Sequence, residues 1–247
     1  MDHLSALRRF ELEFALRYFP ATGSSVLEVG GGSGWQAQLL SEKGFRVESI
    51  DVARPEAALS FPVRLYDGEA IPYPEQSFDL VFSSNVLEHV EDVELLLCEM
   101  ARVLRPNGRM VHILPTPAWR FWTLVMHYPF LVKYAVGGVR SNSTMQHRPT
   151  LRGTLAKRGL HETLQRVLIP PPHGVGTSAL HELTTFSSQH WCQTFGRAGL
   201  EVVRHAEVGL FYTGHALFPG TGITARQKAS RWLGSASALF ELRQAKY

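Results

Sequence analysis

Val26-Leu27-Glu28-Val29-Gly30-Gly31-Gly32-Ser33-Gly34 decides the fold. The stretch reads as a short buried strand, an acid-led glycine loop, and the start of a helix at Gly34-Trp35-Gln36. Glycines at 30, 32 and 34 let the backbone turn tightly and let a ligand approach where a Cβ would stand in the way. The helix that follows aims its unpaired N–H groups and positive end at the loop. Dinucleotide sites use a glycine loop too. A G-x-G-x-x-G fingerprint begun at Gly30 needs a small residue at 35 for close helix–strand packing, and Trp35 stands there.

Working outward, strands and helices alternate from 24 to 115, which predicts a parallel sheet covered on both faces. Phe45 to Ile50 is a second strand with Asp51 at its end, and Val63 to Tyr66 a third, followed by Asp67-Gly68-Glu69-Ala70-Ile71-Pro72. Ser77 to Ser83 is a fourth, followed by Asn85-Val86-Leu87-Glu88-His89-Val90. Leu104-Arg105-Pro106-Asn107-Gly108-Arg109 closes a helix and turns into a fifth strand, Met110 to Leu114. Leu4 to Phe19 reads as an amphipathic helix ended by Pro20. Ligands of such sheets bind at the carboxyl ends of the strands, where all these landmarks fall.

The E-x-G-x-G-x-G form and the landmarks after it resemble the class I S-adenosylmethionine (SAM)-dependent methyltransferases. Over residues 24–115 the series is similar to the small-molecule group that includes the ubiquinone and menaquinone C-methyltransferases. The resemblance implies an α/β, Rossmann-like, seven-stranded sheet with a mostly helical insert after the fifth strand. It also implies a last strand antiparallel between the fifth and sixth. SAM is the implied cofactor, with Glu28, Gly30, Gly32 and Gly34 around the methionine end. Asp51 would sit on the ribose hydroxyls with Val52 beside it, since a carboxylate has two acceptor oxygens. Asp67 and Gly68 would lie near the adenine amino group, and Asn85 near the methionine amine. Each acid has a plainer reading: Glu28 as a loop cap, Asp51 as a helix N-cap, Asp67 as a turn acid. The short segment around Pro55 makes a poor helix for Asp51 to cap.

Charge divides the chain. Residues 1–99 hold 7 Lys/Arg against 17 Asp/Glu, and residues 100–247 hold 18 against 5. An acidic half suits a cationic cofactor. A basic half suits an anionic acceptor, an anionic membrane surface or nucleic acid, or merely keeps the surface soluble. The two cysteines, Cys98 and Cys192, have neither disulfide nor metal spacing, and no metal is expected. The N-terminus lacks a basic stretch leading into an apolar run, so a reducing cytoplasmic setting, with peripheral membrane contact an option, is expected.

Three regions follow: 1–115, an N-terminal helix and SAM-binding core; 116–185, an aromatic-rich lid over the acceptor; and 186–247, completing the sheet. Trp119-Arg120-Phe121-Trp122 opens an apolar stretch to Val139, interrupted by His127, Pro129 and Lys133. Two packed helices forming a lid, a lid that also touches lipid, and a membrane-spanning helix are its three readings. Ser141 to Gly159 reads as a surface loop or short helix. Pro170-Pro171-Pro172-His173-Gly174 is a rigid return. Ser187 to Ala198 is a helix capped by Thr185 or Ser187, Leu200 to Val208 a sixth strand, Thr224 to Leu233 a helix and Ser235 to Leu242 the last strand.

Histidine is the natural proton acceptor near neutral pH. His173 and His181, the latter with Glu182 beside it, bracket the return and are the acceptor-side candidates, with His89 another. Packing or surface roles are the plain alternative for each, and Tyr212, His215 and Tyr128 are weaker candidates. Ser84-Asn85-Val86-Leu87 replaces the Asn/Asp-Pro-Pro-Tyr/Phe of amino-methylating nucleic-acid enzymes, and neither cysteine follows a proline. Nucleic acid is therefore disfavoured. The expected activity is methyl transfer to a hydrophobic or amphiphilic small-molecule acceptor, anionic ones included: lipid-linked, quinone-like or a secondary metabolite. A non-catalytic SAM-binding or partner-binding module and an RNA methyltransferase are the alternatives.

Overall fold

The computed structural model describes residues 3–55, 58–137, 170–215 and 220–245. Seven strands form one sheet in the order β3-β2-β1-β4-β5-β7-β6. They are β1 (Ser25–Val29), β2 (Arg46–Asp51), β3 (Arg64–Leu65), β4 (Phe78–Ser84), β5 (Leu104–Pro115), β6 (Leu200–Glu207) and β7 (Ser237–Gln244). The described helices are α1 (His3–Ala15), α2 (Trp35–Glu42), α3 (Val93–Val103), α4 (Pro117–Gly137), α5 (Glu182–Thr185), α6 (Ser188–Arg197) and α7 (Ile223–Leu233). Strands β1 to β5 run parallel, and β7 inserts antiparallel between β5 and β6. Fold class, strand number and the antiparallel insertion are as the sequence implies.

The period of two along each strand feeds two separate cores. Leu27, Val29, Val81, Met110, Leu114 and Phe240 face one side, against Leu96, Leu97 and Met100 of α3 and Trp191 and Phe195 of α6. Val26, Leu80, Phe82, Val111, Ile113 and Leu239 face the other, against Leu12 and Ala15 of α1 and Leu40 of α2. Both faces are thus dry, as a mainly parallel sheet requires. Asp92 caps α3 through the Leu95 N–H at 3.0 Å, and Ser187, one of the two expected caps, holds α6 through His190 N–H at 3.2 Å.

The boundaries depart from sequence expectation in two instructive places. β5 begins at Leu104, directly after α3, so the Pro106-Asn107-Gly108 turn lies within the strand region as an irregularity in its pairing with β4. Asn107 takes φ 65°, which the amide tolerates better than most side chains. The stretch expected to break at His127, Pro129 and Lys133 is one continuous helix, α4, with Pro129 inside it. A proline forfeits one helical bond and crowds the carbonyl a turn earlier. Burial of Trp119, Arg120, Thr123 and His127 along one face offsets that cost. The loop or short helix expected over Ser141 to Gly159 lies outside the described residues. No helix among the described residues is long and apolar enough to cross a membrane.

Candidate functional site

The carboxyl ends of β1, β2 and β4 converge on the glycine loop. Gly30 and Gly31 N–H groups donate to the Ile50 carbonyl at 2.9 and 3.0 Å, which folds the loop back over β2. Each loop glycine has its own reason. A Cβ at Gly31 would stand 1.9 Å from Ser49 Oγ, and one at Gly34 would meet the Phe61 carbonyl at 2.7 Å. Gly32 differs: its φ is +54°, and a Cβ there would meet nothing within 4 Å. Its backbone therefore borders open space, which is what a close-approaching ligand needs.

Asp51 holds that loop. Its Oδ2 accepts the Gly32 N–H at 2.7 Å and its Oδ1 accepts the Ala53 N–H at 3.2 Å. No helix starts at it among the described residues, where 52–55 are bend and coil, so it caps none there. Val52 beside it is 61 % exposed, and a Cβ at Gly68 would lie 3.2 Å from Val52 Cγ1. Val52 and Gly68 thus make an exposed apolar edge suited to a flat ring. Asp67 is bound into its own turn, with Oδ1 accepting from the Glu69 and Ala70 N–H groups at 2.9 and 3.0 Å. Those bonds hold its carboxyl below the usual range. The turn role thus rests on Oδ1 alone and is compatible with the adenine role.

Glu28 is buried beneath the loop. Its Oε2 accepts from Ser49 Oγ at 2.7 Å, while Oε1 is buried without a full hydrogen bond. Burial pushes its carboxyl up to about 7, against the pull of Ser49, and the Asp51 charge pushes the same way. Asn85 adopts φ 56° at the end of β4, its N–H donating to the Ile113 carbonyl at 2.8 Å. The turn it starts packs on the loop, since a Cβ at Gly30 would meet Val86 Cγ2 at 2.3 Å. The uncapped N–H groups at the start of α2 complete the cradle. Glu28, the open Gly32, Asp51 and Val52–Gly68 fit the methionine, ribose and adenine parts of SAM.

Beyond the loop, the turn after β4 meets the return from the insert. The His173 ring stands edge-on to His89 at 4.8 Å between centroids and tilted on Trp119 at 4.6 Å. Desolvation lowers its imidazole to about 3, helped by the charges of Arg120 and Arg8 and by His89. His89 is lowered as well, mainly by desolvation. Glu182 does not orient an imidazole. Its Oε1 accepts the backbone N–H groups of His173 and Gly174 at 2.6 and 2.7 Å, and its Oε2 lies 2.7 Å from Arg120 Nε in a buried ion pair. His181 is exposed, and its electrostatic neighbour is His190 on α6, not His173. Sequence reasoning grouped three residues that the fold separates into one ring at the acceptor side, one structural acid and one surface histidine.

It also missed a buried polar network. Glu11 of α1 accepts from Tyr212 Oη at 2.6 Å, from Ser237 Oγ and from Arg8 at 2.8 Å. Tyr212 is thus held as a donor, and its hydroxyl is pushed well above its ordinary value by burial and by Glu11. Glu11 lies on the apolar face of α1 between Leu7, Phe10 and Phe14, and that placement was the available signal. Glu88 was passed over as well: it is buried, and its carboxyl is raised to about 8 by desolvation.

Comparison with known proteins agrees with this geometry. Residues 27–112 match the family described as "Methyltransferase domain". A demethylmenaquinone methyltransferase of Tropheryma whipplei (strain Twist) is 33% identical over 98 residues, 36% of this chain and 41% of that protein. A ubiquinone biosynthesis O-methyltransferase of Bartonella tribocorum is 26% identical over 152 residues, 57% of this chain and 62% of that protein. The chain thus spans less than two thirds of the curated relatives it matches. The SAM-dependent methyltransferase structure from Mesorhizobium loti superposes with a TM-score of 0.54 at 18% identity, covering 95% of this chain and 98% of that one. With the glycine loop and the strand order, these likenesses show a methyltransferase domain over residues 27–112, set in the fold of the SAM-dependent methyltransferases.

Proposed function

We propose that this chain transfers the methyl group of SAM to a hydrophobic or amphiphilic small molecule, anionic ones included. One observation carries the reading: the open Gly32–Asp51 cradle lies against Val86, and the turn that Val86 belongs to carries His89 onto the ring of His173, which packs on Trp119. Glu28, Gly30, Gly32, Gly34, Asp51, Val52, Gly68 and Asn85 hold the cofactor in this reading. Asp67 shapes the adenine loop. The bound cofactor supplies a methyl carbon already activated by positive sulfur. The protein's part is to align the acceptor in line with it and to exclude water.

Of the candidate histidines, His173 is the one that edges the acceptor. Its low basicity makes it neutral at pH 7, able to accept a hydrogen bond from an acceptor hydroxyl. The acceptor class is supported by α4. Phe121, Val125, Tyr128 and Val132 are exposed at helical spacing, forming an apolar stripe on the outer face of the insert. Such a stripe on the basic half suits an amphiphile presented at an anionic lipid surface.

The test is a transfer assay with methyl-labelled SAM against quinone-like, lipid-linked and phenolic acceptors, with anionic vesicles in parallel. Label in an amphiphilic acceptor, reduced several-fold by His173→Ala at unchanged S-adenosylhomocysteine (SAH) affinity, is expected. SAH binding without label in any acceptor would favour a cofactor-binding module. Label appearing only in RNA would overturn the acceptor class.

A further inference from the structure

Glu88, His89 and His173 each offer one ligand atom, and those atoms lie within 4.8 Å of one another. The Glu88 side chain is fully buried, yet neither carboxylate oxygen has a hydrogen-bond partner. The neighbouring cations are committed elsewhere: Arg8 bonds Glu11 at 2.8 Å, and Arg120 pairs with Glu182 at 2.7 Å. The group in contact with its carboxylate is imidazole, with His89 Nε2 3.8 Å from Oε1, while the Arg8 charge acts on it without a hydrogen bond. A buried acid without a partner is costly, and a bound cation is one way to satisfy it.

The two segments that carry these residues, the turn after β4 and the return at 173–175, are fastened to one another. The Val175 N–H donates to the Glu88 carbonyl at 3.0 Å. Gly174 approaches so closely that a Cβ there would lie 2.0 Å from the Glu88 oxygen. The His173 and Gly174 N–H groups are gathered on Glu182, and Trp119 backs the His173 ring. Two imidazoles and a carboxylate are thereby fixed on a rigid frame, as a metal site requires. Metal–ligand bonds of about 2.1 Å let one ion bridge atoms at these separations after small side-chain adjustments.

We propose that Glu88, His89 and His173 form a divalent transition-metal site on the acceptor side of the glycine loop. The two-nitrogen, one-oxygen set suits Mn²⁺, Co²⁺ or Zn²⁺ over Mg²⁺ or Ca²⁺, which prefer oxygen ligands. Three protein ligands leave positions open, and both histidines are exposed, so the open side faces incoming acceptor. The role rests on the methyl-transfer reading; the binding does not. An acceptor hydroxyl bound there would release its proton to solvent more readily, and His173, its lone pair on the ion, would act as a ligand in place of accepting that hydroxyl's hydrogen bond. Its oxygen would then form the C–O bond as the methyl C–S bond breaks, the sulfur keeping the electron pair. The site thus narrows the acceptor to one carrying a hydroxyl.

The test is calorimetric titration of the metal-stripped full chain with Mn²⁺, Co²⁺, Zn²⁺ and Mg²⁺, with the visible spectrum of the Co²⁺ form as a second readout. One ion per chain is expected, with Mg²⁺ weakest. Glu88→Gln, His89→Ala and His173→Ala should each weaken binding roughly tenfold or more and alter the Co²⁺ spectrum. His205→Ala, a histidine stacked on Phe240 in the sheet, should leave both unchanged. SAH affinity, measured on every variant, reports that the fold is intact. Absence of a one-to-one site, or affinity in all three ligand variants equal to that of the unsubstituted chain, overturns the proposal. Loss of SAH binding by the unsubstituted chain would instead overturn the methyl-transfer reading.

Discussion

Glu28→Gln should make the protein more stable and worse at binding its cofactor, and the pH dependence will show why. Glu28 is almost fully buried, and desolvation raises its carboxyl from 4.5 to about 7. Below pH 4.5 the group is neutral in both folded and unfolded chains and contributes nothing. Between 4.5 and 7 the unfolded chain loses the proton while the folded chain keeps it. Stability therefore falls as pH rises through that window, and the full penalty stands above 7. At about 1.4 kcal/mol per pH unit, the penalty is about 3 kcal/mol. Glutamine keeps the shape and an acceptor for Ser49 without the charge. For a domain of this size the gain corresponds to a Tm rise of about 6–12 °C at pH 8. Below pH 4.5 the two proteins should melt together. Glu88, also raised, is common to both and cancels in the difference. SAH affinity should fall about tenfold at pH 8, because the methionine ammonium loses a charged partner. Thermal melts across the pH range, with calorimetry at its upper end, check both parts. A Tm difference that does not change with pH would refute the reasoning.

Asp51→Ala should weaken SAH binding at least roughly tenfold, since a lost hydrogen bond to a charged acceptor costs ~1.5–3 kcal/mol and the Gly32 N–H loses its anchor too; unchanged affinity by calorimetry would remove Asp51 from the ribose. Gly32→Ala places its methyl in open space at an αL cost of about 1–2 kcal/mol, so the chain should fold and fail to bind SAH. Gly31→Ala should instead lower Tm more steeply, because its methyl collides with buried Ser49. Glu182→Ala leaves Arg120 buried and unpaired and frees two N–H groups, so unfolding by denaturant should show a loss of about 3–5 kcal/mol.

Much of the cofactor half was legible in the sequence because its determinants are local. A glycine loop between a strand and a helix, and an acid ending the next strand, keep their meaning in any compact arrangement of the sheet. Asp67 shows the limit even there, since the sequence does not reveal that one oxygen, Oδ1, takes both the Glu69 and Ala70 N–H groups, which leaves the turn role and the adenine role compatible. The acceptor side was less legible because it is assembled by tertiary contact. Nothing near His173 in the chain reveals that Glu88 and His89 face it. Glu182 next to His181 suggested a pair, yet adjacent residues in a helical turn point different ways, and Glu182 turns inward to Arg120. Pro129 looked like a break because propensity carries no information about the buried face that offsets it.

The insertion of β7 between β5 and β6 has a consequence for how the chain must be made. Ser237–Gln244 is synthesised after every other strand of the sheet, yet it forms the bond ladder that joins β6 to the rest of the sheet. Until it arrives, Met110–Pro115 has a bare apolar edge, and β6 has nothing to pair with. A growing chain therefore cannot finish its sheet strand by strand as it emerges. Between the emergence of β5 and that of β7 it carries an open template of the kind that recruits other chains. A fragment ending before Ser237 would keep every cofactor residue discussed above and still be prone to aggregate, so soluble shortened forms need that strand supplied from elsewhere.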